Sequence, residues 1–200
     1  TRKNIFNNRN VSLALSYAYD HEWINKTIYQ NAYVRTDSFF DNSPLSSSGL
    51  PSNAELELLN PWRDQIPAEI FSETFTPPKT DGSGNARNNL LKAKEILKEE
   101  GWIIQNDKLI KDGKEFKFEF LIVSPSDEKI ALAYQSNLKK LGITMEVRTV
   151  DSSQYQARLL NYDFDMIKRY WGVSLSPGNE QQFYWGSEVG KKDGSRNYPG

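Results

Sequence analysis

The sequence of 200 residues predicts an α/β fold built around a β-α-β-α-β unit. The first observation is an alternation of apolar and polar side chains over residues 143–150, which is typical of a strand with one buried face. The second is the apolar stripe of a helix over residues 126–141. Strands over residues 116–123 and 164–171 complete the unit. We therefore expect neighbouring parallel strands, surrounded by flanking helices and long loops.

The N-terminal part of the chain predicts helices separated by polar loops. Residues 9–30 should form one helix, because their larger apolar side chains fall mostly on one side. Residues 53–59 predict a short helix that Pro61 ends. Two segments rich in Ser, Asn, Pro and Gly, residues 31–52 and 72–86, predict loops, and the second should lie across the surface.

A helix and a hairpin are predicted next. The helix covers residues 88–100, and Gly101 ends it. The turn at residues 111–114 contains an Asp-Gly pair, which predicts a hairpin between residues 108–110 and residues 116–123.

The last predicted strand ends in a candidate site. Asp151 or Ser152 is a suitable N-cap for the helix that precedes this strand. The strand finishes with Tyr170, Trp171 and Gly172. Open α/β sheets bind ligands at the carboxyl ends of their strands, so large aromatic side chains beside a glycine favour a ligand cleft here.

The composition excludes several classes of function. A net charge of −1 argues against a dedicated nucleic-acid or anionic-membrane surface. No apolar run approaches the roughly 20 residues that span a bilayer, and no signal peptide is recognisable. The absence of cysteine excludes thiolate nucleophiles and cysteine zinc sites. The only histidine lies in a predicted helix turn, and no nucleophile stands beside a base, so we expect no enzyme, no cofactor and no metal site.

Several separated motifs carry a family resemblance. The segments are VSLALSYAYDHEWI at residues 11–24, AKEIL to EGW at residues 93–102, and the run LGI, DSSQYQAR, FDM and WG within residues 137–172. Together they resemble the extracellular solute-binding proteins of ABC importers, family 5, the oligopeptide/nickel-binding type. Five further segments resemble the YejA-type sub-branch: residues 36–40, 48–51, 80–85, 174–180 and 194–198.

This resemblance implies a fold and an organisation. The chain should be a periplasmic-binding-protein-like lobe, the second lobe of a protein about three times as long. Residues 1–200 would form this single lobe, with a loop-rich part at 31–86, an α/β core at 87–172 and an exit segment at 173–200. The whole protein would be monomeric and periplasmic in a Gram-negative bacterium. It would capture oligopeptides or peptide-like solutes between two lobes and deliver them to an ABC transporter permease.

The resemblance also bears on the aromatic strand end. In oligopeptide-binding members, this position carries W-x-x-D, and the aspartate takes the amine of the peptide. Here Ser174, three residues after Trp171, stands at the position of that aspartate, and its neutral hydroxyl forms no ion pair with an amine. Tyr170 and Trp171 would line the ligand cleft, although aromatic side chains at a sheet edge also serve as ordinary packing.

Two cations and a polar segment complete the candidate site. Lys168 and Arg169 could meet a carboxylate or phosphate of the ligand, or could simply be a solvated strand face. The two-residue period places them on opposite faces, and Arg169 shares a face with Trp171, so Arg169 is the preferred contact. Asn179 could donate hydrogen bonds to the ligand, or could belong to a polar hinge.

A different class of function fits the same elements. A nucleic-acid or protein-interaction domain of ferredoxin-like type would carry exposed aromatic side chains on its central strand. Phe116, Phe118 and Phe120 share one strand face. Exposure of these rings would favour this alternative, and their burial would make them ordinary core residues.

Overall fold

The computed structural model describes residues 4–172, 176–192 and 194–198. The chain divides into two compact units. The larger contains Pro78–Gly172 together with the two ends of the chain, and the smaller contains Val34–Pro77. The helices of the larger unit are α1 (Arg9–Ala18), α2 (His21–Thr27), α4 (Arg87–Glu99), α5 (Pro125–Lys140), α6 (Ser152–Leu160), α7 (Glu180–Trp185) and α8 (Ser187–Gly190), and a 3-10 helix covers Asn4–Asn7.

A parallel sheet forms the centre of the larger unit. Its strands are β4 (Lys117–Ile122), β5 (Thr144–Thr149) and β6 (Met166–Ile167), in the spatial order β5-β4-β6. Both pairings are parallel, with Phe120 opposite Val147 in β5 and opposite Met166 in β6. The predicted β-α-β-α-β unit and its parallel neighbours are therefore confirmed.

The last strand is much shorter than residues 164–171, so the predicted length is wrong. On the amino side of β6, the carboxylate of Asp165 accepts the Glu119 N–H at 2.9 Å, where a main-chain carbonyl would do so in a continued strand. On the carboxyl side, β4 ends at Ile122, one residue after the last pair, Leu121 with Ile167, so β4 itself offers no strand position to residues beyond Lys168.

Apolar clusters lie on both faces of β4. One cluster contains Phe118 and Phe120 of β4 with side chains of α1, α4, α5 and β5. The other contains Leu121 of β4 with Tyr155 and Leu159 of α6. The alternation of side chains along the strand sends successive residues into opposite layers. The rings of Phe116, Phe118 and Phe120 are all buried, which removes the exposed aromatic face that the ferredoxin-like alternative requires.

A second sheet is antiparallel and lies outside the β-α-β-α-β unit. It consists of β1 (Ile103–Gln105), β2 (Lys108–Lys111) and β3 (Lys114–Glu115). The turn at residues 111–114 is confirmed, with Asp112 and Gly113 at positive φ. The predicted hairpin partner is wrong, because β2 pairs with β3 while the strand from Lys117 onward joins the parallel sheet.

The single helix predicted over residues 9–30 is in fact two helices. α1 ends at Ala18, and Asp20 begins α2 as its N-cap, accepting the Trp23 N–H at 3.1 Å. Buried apolar residues occur in both helices, among them Leu15 in α1 and Ile24 in α2, so the apolar stripe alone did not reveal the break. An aspartate within a helical pattern competes for main-chain donors and favours a new helix start.

The smaller unit contains a short helix and turns. Helix α3 (Asn53–Leu59) begins with a capping box between Ser52 and Glu55, and 3-10 helices cover Asn60–Trp62 and Ala68–Phe71. The predicted helix over residues 53–59 is confirmed. In the part of the chain that the structure describes, every helix is too short or too polar to cross a bilayer.

Candidate ligand-binding surface

The candidate surface begins where β6 ends. Lys168–Gly172, here called the exit strand segment, follows Ile167 at the edge where the parallel strands have their carboxyl ends. Loops at that edge of an open α/β sheet are the usual place for a ligand. Arg169, Tyr170 and Trp171 therefore follow the carboxyl end of β6, the edge of the sheet at which we predicted a site from the sequence.

Lys168 is engaged inside the larger unit. Its Nζ donates to Oδ1 of Asp127 at 2.5 Å and to the hydroxyl of Tyr29 at 2.9 Å. Asp127 lies in the first turn of α5, and the side chains of the ion pair are only 21% and 16% exposed. Burial alone would lower the pKa of Lys168, but its hydrogen bonds, first among them the one to Asp127, raise that pKa above its ordinary value.

Arg169 has different neighbours. It is exposed, and its Cζ lies 5.3 Å from the ring centroid of Tyr198. Among the described residues, no carboxylate pairs with its guanidinium group. A guanidinium carries five N–H donors in a planar fork, so this side chain can still take a carboxylate or phosphate.

Tyr170 and Trp171 differ in burial. Tyr170 is 66% exposed, whereas Trp171 is half-buried. The indole of Trp171 packs against Tyr184 and Trp185 of α7 at centroid distances of 4.7 and 5.1 Å, and against Tyr198 at 5.9 Å. It belongs to neither of the two buried clusters beside the sheet. Trp171 is therefore part of an aromatic group at the sheet edge, not of the sheet core.

Asn179 lies at the start of α7. It is exposed, and its side chain forms no capping hydrogen bond with that helix. The same helix carries Tyr184 and Trp185 to Trp171, so Asn179 is linked to the aromatic group through the main chain. Ser174, the remaining predicted site residue, lies outside the described residues.

A cavity beside α7 was not predicted. It has a volume of about 600 Å³, and its lining includes Phe183, Tyr184, Lys192, Ser195 and Arg196. Tyr184 thus contacts Trp171 and also lines the cavity. Ser195 and Arg196 of this lining belong to residues 194–198, which resemble the YejA-type sub-branch, but that resemblance did not predict a cavity.

The candidate surface offers aromatic and cationic groups. It combines exposed or half-buried aromatic rings with the guanidinium group of Arg169, which pairs with no carboxylate of the described residues. Among the described residues, no three His, Asp or Glu side chains come together as metal ligands. Such a surface can stack against apolar groups and accept an anionic group of a ligand.

Comparison with known proteins gives a consistent result. Residues 1–193 match the family model "Bacterial extracellular solute-binding proteins, family 5 Middle". The chain is 42% identical to the "Peptidoglycan-binding protein YepA" and 39% identical to the "Probable peptide-binding protein YejA", both of Agrobacterium fabrum. Each alignment covers 100% of this chain and 33% of the relative.

A solved structure shares the fold. The oligopeptide-binding protein AppA from Bacillus subtilis, in complex with a nonapeptide, superposes with a TM-score of 0.65 at 24% identity. The match covers 98% of this chain and 33% of that protein. The chain thus spans about one third of the length of the proteins that it resembles.

Proposed function

The chain belongs to the bacterial extracellular solute-binding proteins of family 5, and from this membership we propose that it is one lobe of the substrate-binding component of an ABC importer. The ligand would be an oligopeptide or a peptide-like solute, held between this lobe and a second lobe outside the chain. The observation that carries the proposal is the exit strand segment, which presents Arg169, Tyr170 and Trp171 at the carboxyl edge of the parallel sheet.

Each side chain of this segment would have a distinct part in binding. Tyr170 offers an exposed ring to apolar ligand groups, while Trp171 is held by its aromatic neighbours as a rigid anchor. Arg169 would pair with a carboxylate of the ligand. Ser174 and Asn179 would contribute neutral hydrogen bonds. Binding makes and breaks no covalent bond, and closure of the two lobes would signal the loaded state to the permease.

The proposal includes a place in the cell and a mode of assembly. Delivery to an importer requires a protein outside the inner membrane, which we propose to be the periplasm of a Gram-negative bacterium. A monomer suffices, since the two lobes would come from one polypeptide.

The contact of Arg169 with a ligand carboxylate can be tested in the full-length protein. Calorimetry would compare oligopeptides that have a free C-terminal carboxylate with the same peptides amidated. Arg169→Gln should weaken binding of the free peptides about tenfold, as expected for the loss of a charged hydrogen bond, and change the amidated ones little.

Arg87→Gln is the matched control, because Arg87 is an exposed residue at the start of α4. If the unmodified protein binds none of the peptides, the proposed ligand class is wrong. If Arg169→Gln binds both forms of peptide as the unmodified protein does, Arg169 is not a ligand contact.

A more specific peptide class is a second candidate. One relative, 42% identical over the whole chain, is named as a peptidoglycan-binding protein. Peptide stems of peptidoglycan carry free carboxylates, which Arg169 could accept. Competition between a peptidoglycan-derived peptide and an ordinary oligopeptide of equal length would decide. If the peptidoglycan-derived peptide displaces the ordinary oligopeptide at equal concentration, this candidate is supported. If the ordinary oligopeptide displaces the peptidoglycan-derived peptide, the protein is a general oligopeptide receptor.

A further inference from the structure

The exit strand segment needs support from outside the sheet. β6 ends at Ile167, so strand pairing does not hold the residues that carry the proposed ligand contacts. A segment without regular pairing ordinarily samples many conformations, and ordering it on binding would cost affinity. Contacts other than strand pairing must therefore restrict the conformation of this segment.

Lys168 supplies contacts on both its main chain and its side chain. Its carbonyl accepts a hydrogen bond from the hydroxyl of Tyr155 in α6 at 3.3 Å. Its Nζ reaches Asp127 of α5 and Tyr29, which follows α2. The first residue of the segment is thus tied to three separate helical regions of the same unit.

The ammonium group of Lys168 also lies against the proposed ligand contact Tyr170. The distance from Nζ to the centroid of the Tyr170 ring is 5.0 Å, and the distance to the centroid of the Tyr29 ring is 5.5 Å. A cation within about 6 Å of a ring is attracted to its face. The ring of Tyr170 is therefore held on one side while it remains 66% exposed.

We propose that Lys168 is a positioning residue, which acts with Asp127 and Tyr29 to fix Tyr170 for the ligand and does not itself contact the ligand. This inference rests on the proposed function for the identity of the site. Asp127 neutralises the ammonium group inside the unit, so Lys168 does not take an anion from the ligand. No carboxylate of the described residues pairs with the neighbouring Arg169, so its guanidinium group is available for an anionic group of the ligand.

The holding of the segment can be measured without any ligand. Lys168→Met keeps the length of the side chain and removes its charge, while Tyr29→Phe removes only a hydroxyl contact. In the full-length protein, chymotrypsin should cleave after Tyr170 or Trp171 about fivefold faster in both variants, because local opening becomes easier. Mass spectrometry of the fragments gives the rate at each bond.

Lys117→Met is the matched control. It breaks an exposed ion pair with Glu146 between β4 and β5 of the same sheet, at the amino ends of the strands. Its cleavage after Tyr170 and Trp171 should equal that of the unmodified protein. Unchanged cleavage in Tyr29→Phe and in Lys168→Met would overturn the inference, and so would an equal increase in the control.

A double-mutant cycle separates positioning from a general loss of structure. Lys168→Met should weaken oligopeptide binding about tenfold when Tyr170 is present, and less than about twofold in a Tyr170→Ala background. An equal loss in both backgrounds would overturn the positioning role. If the unmodified protein binds no oligopeptide, the proposed function fails, whereas the cleavage rates still decide whether Lys168 holds the segment.

Discussion

At the scale of single residues, Trp171 combines partial burial with aromatic neighbours from outside the sheet core. Trp171→Ala in the full-length protein should weaken ligand binding by about 1–3 kcal/mol, the usual range for a buried aromatic anchor. The fold should remain, since neither core cluster contains Trp171. Calorimetry measures the affinity, and circular dichroism measures the fold.

The control for this substitution is Ile103→Ala, at a half-exposed position in the antiparallel sheet. It should leave affinity unchanged. A folded Trp171→Ala variant with unchanged affinity would exclude the proposed role, and a variant that fails to fold would show that the indole is a core side chain.

Lys168 and Arg169 show what could and could not be predicted from the sequence at this scale. The two-residue period separated Lys168 from Arg169 and favoured Arg169 as the ligand contact, which stays a prediction. The period could not reveal the partners of Lys168, because Asp127 and Tyr29 are 41 and 139 positions away in the chain. Such contacts depend on how α5 and the end of α2 meet the sheet, and local patterns do not contain that information.

At the scale of elements, two glycines with similar backbone conformations permit a matched test. Gly142 follows α5 and Gly113 lies in the turn between β2 and β3, with φ of 76° and 72°. A Cβ at Gly142 would lie 2.9 Å from the Leu109 N, whereas one at Gly113 would meet nothing within 4 Å. Gly142 also joins the sheets, since its carbonyl accepts the Leu109 N–H at 2.7 Å.

Gly113→Ala should therefore lower the free energy of unfolding by about 1–2 kcal/mol, the cost of a left-handed backbone for an ordinary residue. Gly142→Ala should lower it by about 2–5 kcal/mol, because the clash with the main chain of β2 is added. Urea denaturation of the two variants gives the difference directly. Equal losses would mean that the backbone at Gly142 shifts freely and that the junction between α5 and β2 is loose.

Elements with a strong local pattern were predicted well. The alternation before Val150 identified β5, and Asp151 was confirmed as the N-cap of α6, accepting the Gln154 N–H at 2.9 Å. Two element boundaries were predicted wrongly, each at an aspartate whose side chain accepts a main-chain N–H. Asp20 starts a new helix inside an unbroken apolar stripe, and Asp165 takes the place of a strand partner before β6.

At the scale of the whole molecule, the proposal of two lobes has a direct consequence. The 200-residue chain should fold alone, because its core clusters are internal to the larger unit. It should bind oligopeptides more weakly than the full-length protein by orders of magnitude, since one wall leaves half the ligand in water while most of the association entropy must still be met.

Side-by-side calorimetry with one oligopeptide would test this, with circular dichroism to establish that the isolated chain is folded. Comparable affinity for the isolated chain and the full-length protein would place the entire site within these residues. That result would contradict binding by closure of two lobes.

The order of the strands in the parallel sheet also bears on how fast the molecule can assemble. Central β4 meets β5 after one crossover helix, whereas β6 arrives only after a further strand and helix. Closing the shorter loop costs less entropy, so we expect β4, α5 and β5 to form the folding nucleus and β6 to dock late. Truncating Val147 should then slow refolding, while truncating Met166 should mainly speed unfolding. The segment that presents the ligand contacts would therefore be the last part of the sheet to form and the first to open.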